Sequence, residues 1–232
     1  MEKYTYLLIN FLTVIICFIF SFHPKIKFNK HFLPFLKASA LVGVVFILWD
    51  AFFTDYGVWW FNDRYVIGWR IFGLPLEEWL FFICIPFACI YTYFCLNLFF
   101  NLNWVKKYEK VFFGTSIVIC LIVASVHTDK IYTCVTFATT GLTILYVKYI
   151  AKVRWLGKIS LVYTILLLPF FMVNGVLTGT GLEQPIVNYN DGHYLALRIL
   201  TVPIEDAVYG YEMIVWNLFF FYKFSKTTFK NE

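Results

Sequence analysis

Seven long apolar runs alternate with polar breaks along this chain, at roughly 4–22, 33–53, 76–100, 111–128, 131–150, 156–178 and 204–222. Each comes close to the ~20 residues an α-helix needs to cross the hydrocarbon core of a bilayer. The breaks are short except for two, 54–75 and 179–203, which carry glycine and aromatic residues. The pattern predicts an all-α membrane protein with seven transmembrane helices. Only Lys3 precedes the first run as a basic residue and no small-residue cleavage site follows it, so that run is expected to be a retained helix and not a leader.

Composition agrees with this reading. Of the 232 residues, 61% are hydrophobic and 14% charged, against about a quarter charged in soluble domains. The charges are segregated. Segments 23–37, 101–110, 148–158 and 223–232, after runs one, three, five and seven, hold 14 of the 19 Lys and Arg residues. The positive-inside rule then predicts an external N-terminus and a cytoplasmic C-terminus in a multi-pass protein of the cell membrane. The basic loops read as topology determinants and contacts for membrane lipid, and no nucleic-acid partner is expected. Acids run the other way: 11 of 14 lie at or near the opposite face. Acids contribute little to insertion orientation, so this gathering needs another cause, either solvated loops or a polar site opening there. The six cysteines all fall inside apolar runs without CxxC spacing or histidine neighbours. They read as small buried hydrophobes, and no metal site is expected.

A nine-residue phrase occurs twice, 128 residues apart. Arg70-Ile71-Phe72-Gly73-Leu74-Pro75-Leu76-Glu77-Glu78 is matched by Arg198-Ile199-Leu200-Thr201-Val202-Pro203-Ile204-Glu205-Asp206. Each copy opens an apolar run, the third and the seventh. An offset of four helices keeps both copies in one orientation, which makes a parallel repeat. The expected units are residues 1–102 and 131–232, each of three helices, joined by a connecting fourth helix in 103–130. Asp50 at the end of run two and Asn174 near the end of run six fit the same scheme. So, less tightly, do Asn97-Leu98-Phe99-Phe100 and Asn217-Leu218-Phe219-Phe220.

Pro75 and Pro203 suit the first position of a helix, where a missing N–H costs nothing. The following carboxylates would then sit at the positive end of the helix dipole, a stabilisation of up to about 1 kcal/mol. Dipole stabilisation accounts neither for two consecutive acids in each copy nor for the arginine seven residues ahead of them. Glu212 adds to the puzzle: it lies seven residues beyond Glu205, on the same face and about 10 Å deeper, where a charge costs a few kcal/mol. Desolvation or a neighbouring carboxylate keeps a carboxyl protonated, and a nearby Arg70 or Arg198 would keep a partner ionised. Around the first phrase crowd Trp59, Trp60, Phe81 and Phe82, and around the second Tyr189, Tyr194 and Tyr209. Aromatic faces stabilise cations, by about 2 kcal/mol when desolvated. Acids beside aromatics in an apolar cavity are equipment for protonating an alkene and guiding a carbocation.

Other chemistries lack their residues. The seventh run has no lysine before Lys223, as a retinal-binding receptor would need, and the four histidines lie at loops or helix ends. There is no G-x-G-x-x-G, Walker loop or G-x-S-x-G, and no cofactor is called for. The pair Pro75-Leu76-Glu77-Glu78 and Pro203-Ile204-Glu205-Asp206 resembles the doubled P-x-E-E/D motif of the small membrane lycopene β-cyclases, the heterodimeric and fused-domain type, over nearly the whole chain. The resemblance implies cyclisation of the linear ends of lycopene to β-ionone rings, begun by a proton and without net redox. It implies catalytic roles for Glu77, Glu78, Glu205 and Asp206, with Arg70, Arg198, Asp50 and Asn174 in support; Glu212, from its depth and not from the motif, is expected to be an inner polar partner. Trp59, Trp60, Phe81, Phe82 and Tyr209 would bind substrate. A carotenoid hydratase, a non-catalytic carotenoid or lipid binder and a proton-coupled transporter stay open. So do a homo-oligomer or association with other carotenoid-pathway enzymes, one-end against two-end cyclisation, and which acid donates the proton.

Overall fold

The structure, a computed structural model, describes residues 2–225. Lys226, Lys230 and Glu232, counted in the charge pattern above, lie outside the described residues. Seven long helices follow the seven runs: α1 (Thr5–Phe20), α2 (Phe32–Asp55), α3 (Leu76–Phe99), α4 (Glu109–Val126), α5 (Ile131–Leu145), α6 (Leu156–Leu177) and α7 (Ile204–Phe224). Six of these segments are long and apolar enough to cross a membrane, and the protein is membrane-embedded. The exception is α7, interrupted by Glu205, Asp206 and Glu212. Its acids are held inside the bundle: 11 of its 21 residues are buried, the three carboxyls among them. It packs between α2 and α5, with α3 and α6 alongside. Acids inside a membrane protein belong on such an enclosed helix, facing protein instead of lipid.

The two long breaks fold as crossed loops. The first holds strands β1 (Trp59–Phe61), β2 (Arg70–Ile71) and β3 (Leu74–Pro75), and the second β4 (Val187–Tyr189), β5 (Arg198–Ile199) and β6 (Val202–Pro203). β2 and β3 form a hairpin with Arg70 opposite Pro75, and β5 and β6 one with Arg198 opposite Pro203. In the first, Phe72 and Gly73 both take positive φ (52° and 79°), as the two-residue turn that matches strand twist requires. In the second, Leu200 does so at 57°.

The loops meet through β1 and β4, which pair antiparallel with Trp60 directly opposite Asn188. Those positions are themselves 128 apart, so the strands cross about a local two-fold axis. Backbone bonds obey the same axis. Asn62 N–H donates to Ile186 O and Asn190 N–H to Val58 O, both at 2.8 Å. Val58 N–H donates to Phe53 O and Ile186 N–H to Leu177 O, both at 2.9 Å. The second pair sets α2 against α6 with an offset of 124, and residues 182–185 absorb the difference. Likewise Tyr6 N–H donates to Tyr65 O and Tyr132 N–H to His193 O, which sets α1 against α5 with an offset of 126. The Asn97 and Asn217 phrases do not follow this register: at 128 residues, Asn217 corresponds to Cys89.

Candidate active site

Each hairpin delivers the chain to the start of α3 or α7 in the same way. Pro75 and Pro203 are extended (ψ 151° and 140°) and the helix begins one residue later, so the prolines precede the first turn instead of opening it. Leu76 N–H then bonds Trp69 O at 2.9 Å, and Ile204 N–H bonds Leu197 O at 3.1 Å. The first acid of each pair reaches back to the same loop. Glu77 Oε1 accepts from Ile67 N–H at 2.7 Å, and Glu205 Oε1 from Leu195 N–H at 2.9 Å and Thr133 Oγ1 at 2.6 Å. Both side chains are fully buried. Neither lines the cavity described next.

The second acid of each pair does. Glu78 and Asp206 line one cavity, with about 1040 Å³ of unfilled space counting its open side. Asp50, Asn174, Tyr6, Tyr132, Tyr189, Tyr209, Trp59 and Phe61 complete its polar and aromatic end. The rest is apolar, walled by Phe81, Ile85 and Ala88 of α3, Val173 and Leu177 of α6, and Met213 of α7. Pro169 also lines it while exposed on the outer surface of α6, so the cavity opens on the side that would face lipid. One helical turn separates Glu78 from Phe81 and two separate it from Ile85, so this face of α3 is in phase. Glu77, 100° away, points elsewhere.

The two acids are held differently. Asp206 accepts through both oxygens, Oδ1 from Tyr132 Oη at 2.7 Å and Oδ2 from Tyr189 Oη at 2.8 Å. Glu78 accepts through Oε2 from Tyr6 Oη at 2.5 Å. Tyr6 and Tyr132 are counterparts, whereas the counterpart of Tyr189 is Phe61, which has no hydroxyl to offer. Tyr189 stands on β4, outside the spans. Its burial, and then the charge of Asp206 and the bond to it, push its hydroxyl well above the ordinary tyrosine range. It remains a donor near neutral pH. Asp50 Oδ2 and the Tyr209 hydroxyl are buried in the same region without a hydrogen-bond partner among the described residues.

Several expected site residues lie elsewhere. Arg70 bonds Asp63 Oδ1 at 2.7 Å and Gly73 O at 2.8 Å, and Arg198 bonds the Tyr194 hydroxyl at 2.6 Å and Thr201 O at 2.6 Å. Both guanidiniums fasten their own hairpins, and neither forms an ion pair with a motif carboxylate, because each side chain lies along its turn. Glu212 faces α5, not the cavity. Its Oε2 accepts from Thr139 and Thr140 at 2.8 and 3.0 Å and its Oε1 from Thr143 at 2.9 Å. Trp60 is half exposed while Trp59 and Phe61 are buried, the alternation any strand imposes. Phe82, four residues past Glu78, turns toward α2 and packs on Phe46. Trp59, Phe81 and Tyr209 do line the cavity. Sequence reasoning missed Tyr6 and Tyr132. Their signal was available: a tyrosine at matching depth in runs one and five.

A family model described as lycopene cyclase matches residues 3–96 and 129–224, two segments that each contain one acidic motif. No curated protein and no solved structure matches the chain.

Proposed function

The chain belongs to the lycopene cyclase family, and from that premise we propose that it is a lycopene β-cyclase of the cell membrane. All seven helices cross the bilayer, with the N-terminus outside and the C-terminus in the cytoplasm. Residues 1–102 and 131–232 are parallel three-helix units joined by 103–130. The observation that carries the catalytic reading is that Glu78 and Asp206, one acid from each motif, share one aromatic-lined apolar cavity.

The roles follow from how each acid is held. Glu78 has one oxygen engaged by Tyr6, leaving Oε1 to carry a proton toward the cavity. Asp206, with both oxygens accepting from tyrosines, is the carboxylate. Neither of its oxygens is left without a donor, so in the resting site it is Glu78 that has the oxygen free to hold the proton. Glu78 gives its proton to the terminal double bond of lycopene and a tertiary cation forms. The next reactive double bond attacks it, one C–C bond closes the six-membered ring, and the charge moves into the ring. Asp206 takes the adjacent ring proton, and a β-ionone double bond results. The proton returns from Asp206 to Glu78 and no net redox occurs. Trp59, Phe81, Tyr132 and Tyr209 line the cavity, and aromatic rings there stabilise the cation, a contribution of about 2 kcal/mol when desolvated. Glu77 and Glu205 hold the helix mouths that aim the two working acids, and Arg70 and Arg198 hold the hairpins.

Expression in a lycopene-accumulating bacterium tests this. The wild-type chain should shift the pigment from red toward yellow-orange, with β-ring products on chromatography. Glu78→Gln and Asp206→Asn should each leave the host red. Hydroxylated linear products in place of rings would make the protein a hydratase, and unchanged lycopene bound to purified wild-type protein would make it a binder.

A further inference from the structure

The local two-fold passes through the polar end of the cavity, where the counterparts Glu78 and Asp206, Tyr6 and Tyr132, and Asp50 and Asn174 line the same space. The apolar lobe lies to one side of that axis, and the positions that mirror its walls carry larger side chains. In the open lobe, α3 contributes Ala88, α6 contributes Val173 and α7 contributes Gly210. With the offsets of 128 for α3 and α7 and 124 for α2 and α6, the corresponding positions are Trp216, Trp49 and Phe82. Each exchange replaces a small residue by a large aromatic one. Trp49 lies 5.8 Å from Phe46 and 5.2 Å from Tyr209, and Phe46 lies 5.1 Å from Tyr209 and 6.5 Å from Phe82, all centroid to centroid. Trp216 stacks with Tyr146 and Phe220 and donates its indole N–H to Thr143 Oγ1 at 3.0 Å. On the open side, Gly210 is what permits the shape of the wall. A Cβ there would stand 2.8 Å from Tyr163 Oη and 3.3 Å from a ring carbon of Phe170. The second acid of each motif, Glu78 and Asp206, moreover, lines this one cavity, so the two copies of the motif serve one space and not two.

We propose that this molecule has a single end-group pocket, and that Trp49, Phe82 and Trp216 are the plug that makes it single. The inference rests on the cyclase reading above and adds a consequence to it. A long linear carotenoid is cyclised at one end per binding event. The second end reacts only after the one-ringed product has left, turned and re-entered. The plug residues are thus specificity determinants: they set one ring per visit, although the chain carries two copies of the motif.

Two readouts on the purified full-length chain separate this inference from the cyclase reading. The first is total carotenoid, cyclised or linear, retained through purification, measured by absorbance per chain. Val173→Trp, which copies the plug into the open lobe, should retain at least tenfold less than wild type. Ala88→Trp, which fills the same lobe from α3, should do likewise and guards against a single misfolded variant. Trp49→Val should stay within twofold. Equal loss in Trp49→Val and Val173→Trp overturns the single pocket. The second readout is a pulse of labelled lycopene followed by excess unlabelled lycopene. Labelled one-ringed carotene should then persist, because it leaves before its second end reacts. Labelled two-ringed product that keeps forming, indifferent to the chase, overturns the proposal. Pigment retention in the expected pattern without any ring would sink the cyclase reading and leave the single pocket standing.

Discussion

Asp206 and Glu212 stand six residues apart on α7, both carboxyls nearly inaccessible at 7% and 4% exposure, and they do different things. Asp206 faces a cavity and takes its hydrogen bonds from Tyr132 and Tyr189, whose rings also form the cavity wall. Glu212 faces α5 and takes its bonds from three threonines. Six residues turn the helix by about 600°, which leaves the two side chains roughly 120° apart in azimuth. Burial alone therefore says little about chemistry. The face decides it: one acid has a space beside it where a reacting atom can sit, and the other has only helix.

The largest expected effect breaks the comparison at its reactive end. Glu78→Gln and Asp206→Asn should each lower ring formation by about 10²–10⁴-fold, the range for losing a general acid or base. They should fail differently. Glu78→Gln removes the proton donor but leaves the acceptor in place, so what little product forms should keep the β double bond. Asp206→Asn still allows protonation, so its residual product should be a mixture of ring double-bond positions. Chromatography of the residual pigment checks this; identical product profiles from the two variants would contradict the assignment of donor and acceptor.

Next in size are the tyrosines. Losing a hydrogen bond to a charged group costs about 1.5–3 kcal/mol, so Tyr132→Phe and Tyr189→Phe should each slow the reaction roughly 10–100-fold. Thermal stability should barely change, because Asp206 keeps its second hydroxyl in each case. Tyr6→Phe tests the other half, and since Tyr6 is the one donor to Glu78 among the described residues it should alter product yield more than pigment binding.

These residues show what could be read from the chain alone. The seven helices, the repeat and the doubled acids follow from run length and a shared phrase. Trp60 against Trp59 and Phe61 was also legible, since a strand alternates its faces. Glu77 against Glu78 was half legible. Two adjacent helical residues point 100° apart, so they were bound to differ in surroundings, but the chain alone does not say which of them shares a space with Phe81 and Ile85. The pairing of β1 with β4 was not legible, because it joins segments 128 residues apart and nothing local in Trp59–Phe61 names its partner. The bonds of the arginines were not legible for a related reason. Charge proximity along the chain placed them beside the acids, but a tight hairpin turns each guanidinium back onto its own turn carbonyl.

Of smaller effect on chemistry and larger effect on stability are the first acids. Glu77 and Glu205 each satisfy a loop N–H from a fully buried position. Glu205→Ala strands Leu195 N–H and Thr133, and an unsatisfied buried donor costs about 1–3 kcal/mol. For a chain of this size that corresponds to a drop of roughly 4–8 °C in Tm for a loss near 2 kcal/mol, readable by thermal unfolding in detergent. Activity of the variant measured well below its Tm should fall less than in Asp206→Asn. A loss as deep as that of Asp206→Asn, with Tm unchanged, would move Glu205 from holding the helix mouth into the proton chemistry.

The smallest expected effect is at Glu212, and it is the sharpest test of the face argument. Glu212→Gln keeps an oxygen that still accepts from Thr139 and Thr140, and the new amide N–H can be taken up by the second lone pair of Thr143 Oγ1, which already accepts from the Trp216 indole. The threonines also have a fallback: Thr139 Oγ1 lies 2.9 Å from Val135 O, an alternative acceptor for its one hydroxyl hydrogen and the back-bond that helical threonines commonly make. Ring formation in Glu212→Gln should stay within about threefold of wild type, on the view that this carboxyl supplies acceptors to α5 and no proton to substrate. Glu212→Leu should lower Tm further than Glu212→Gln, because it removes the acceptor altogether. If Glu212→Gln instead abolishes rings while its Tm holds, a buried acid with no cavity beside it takes part in the reaction, and the partition of α7 into a chemical face and a packing face is wrong.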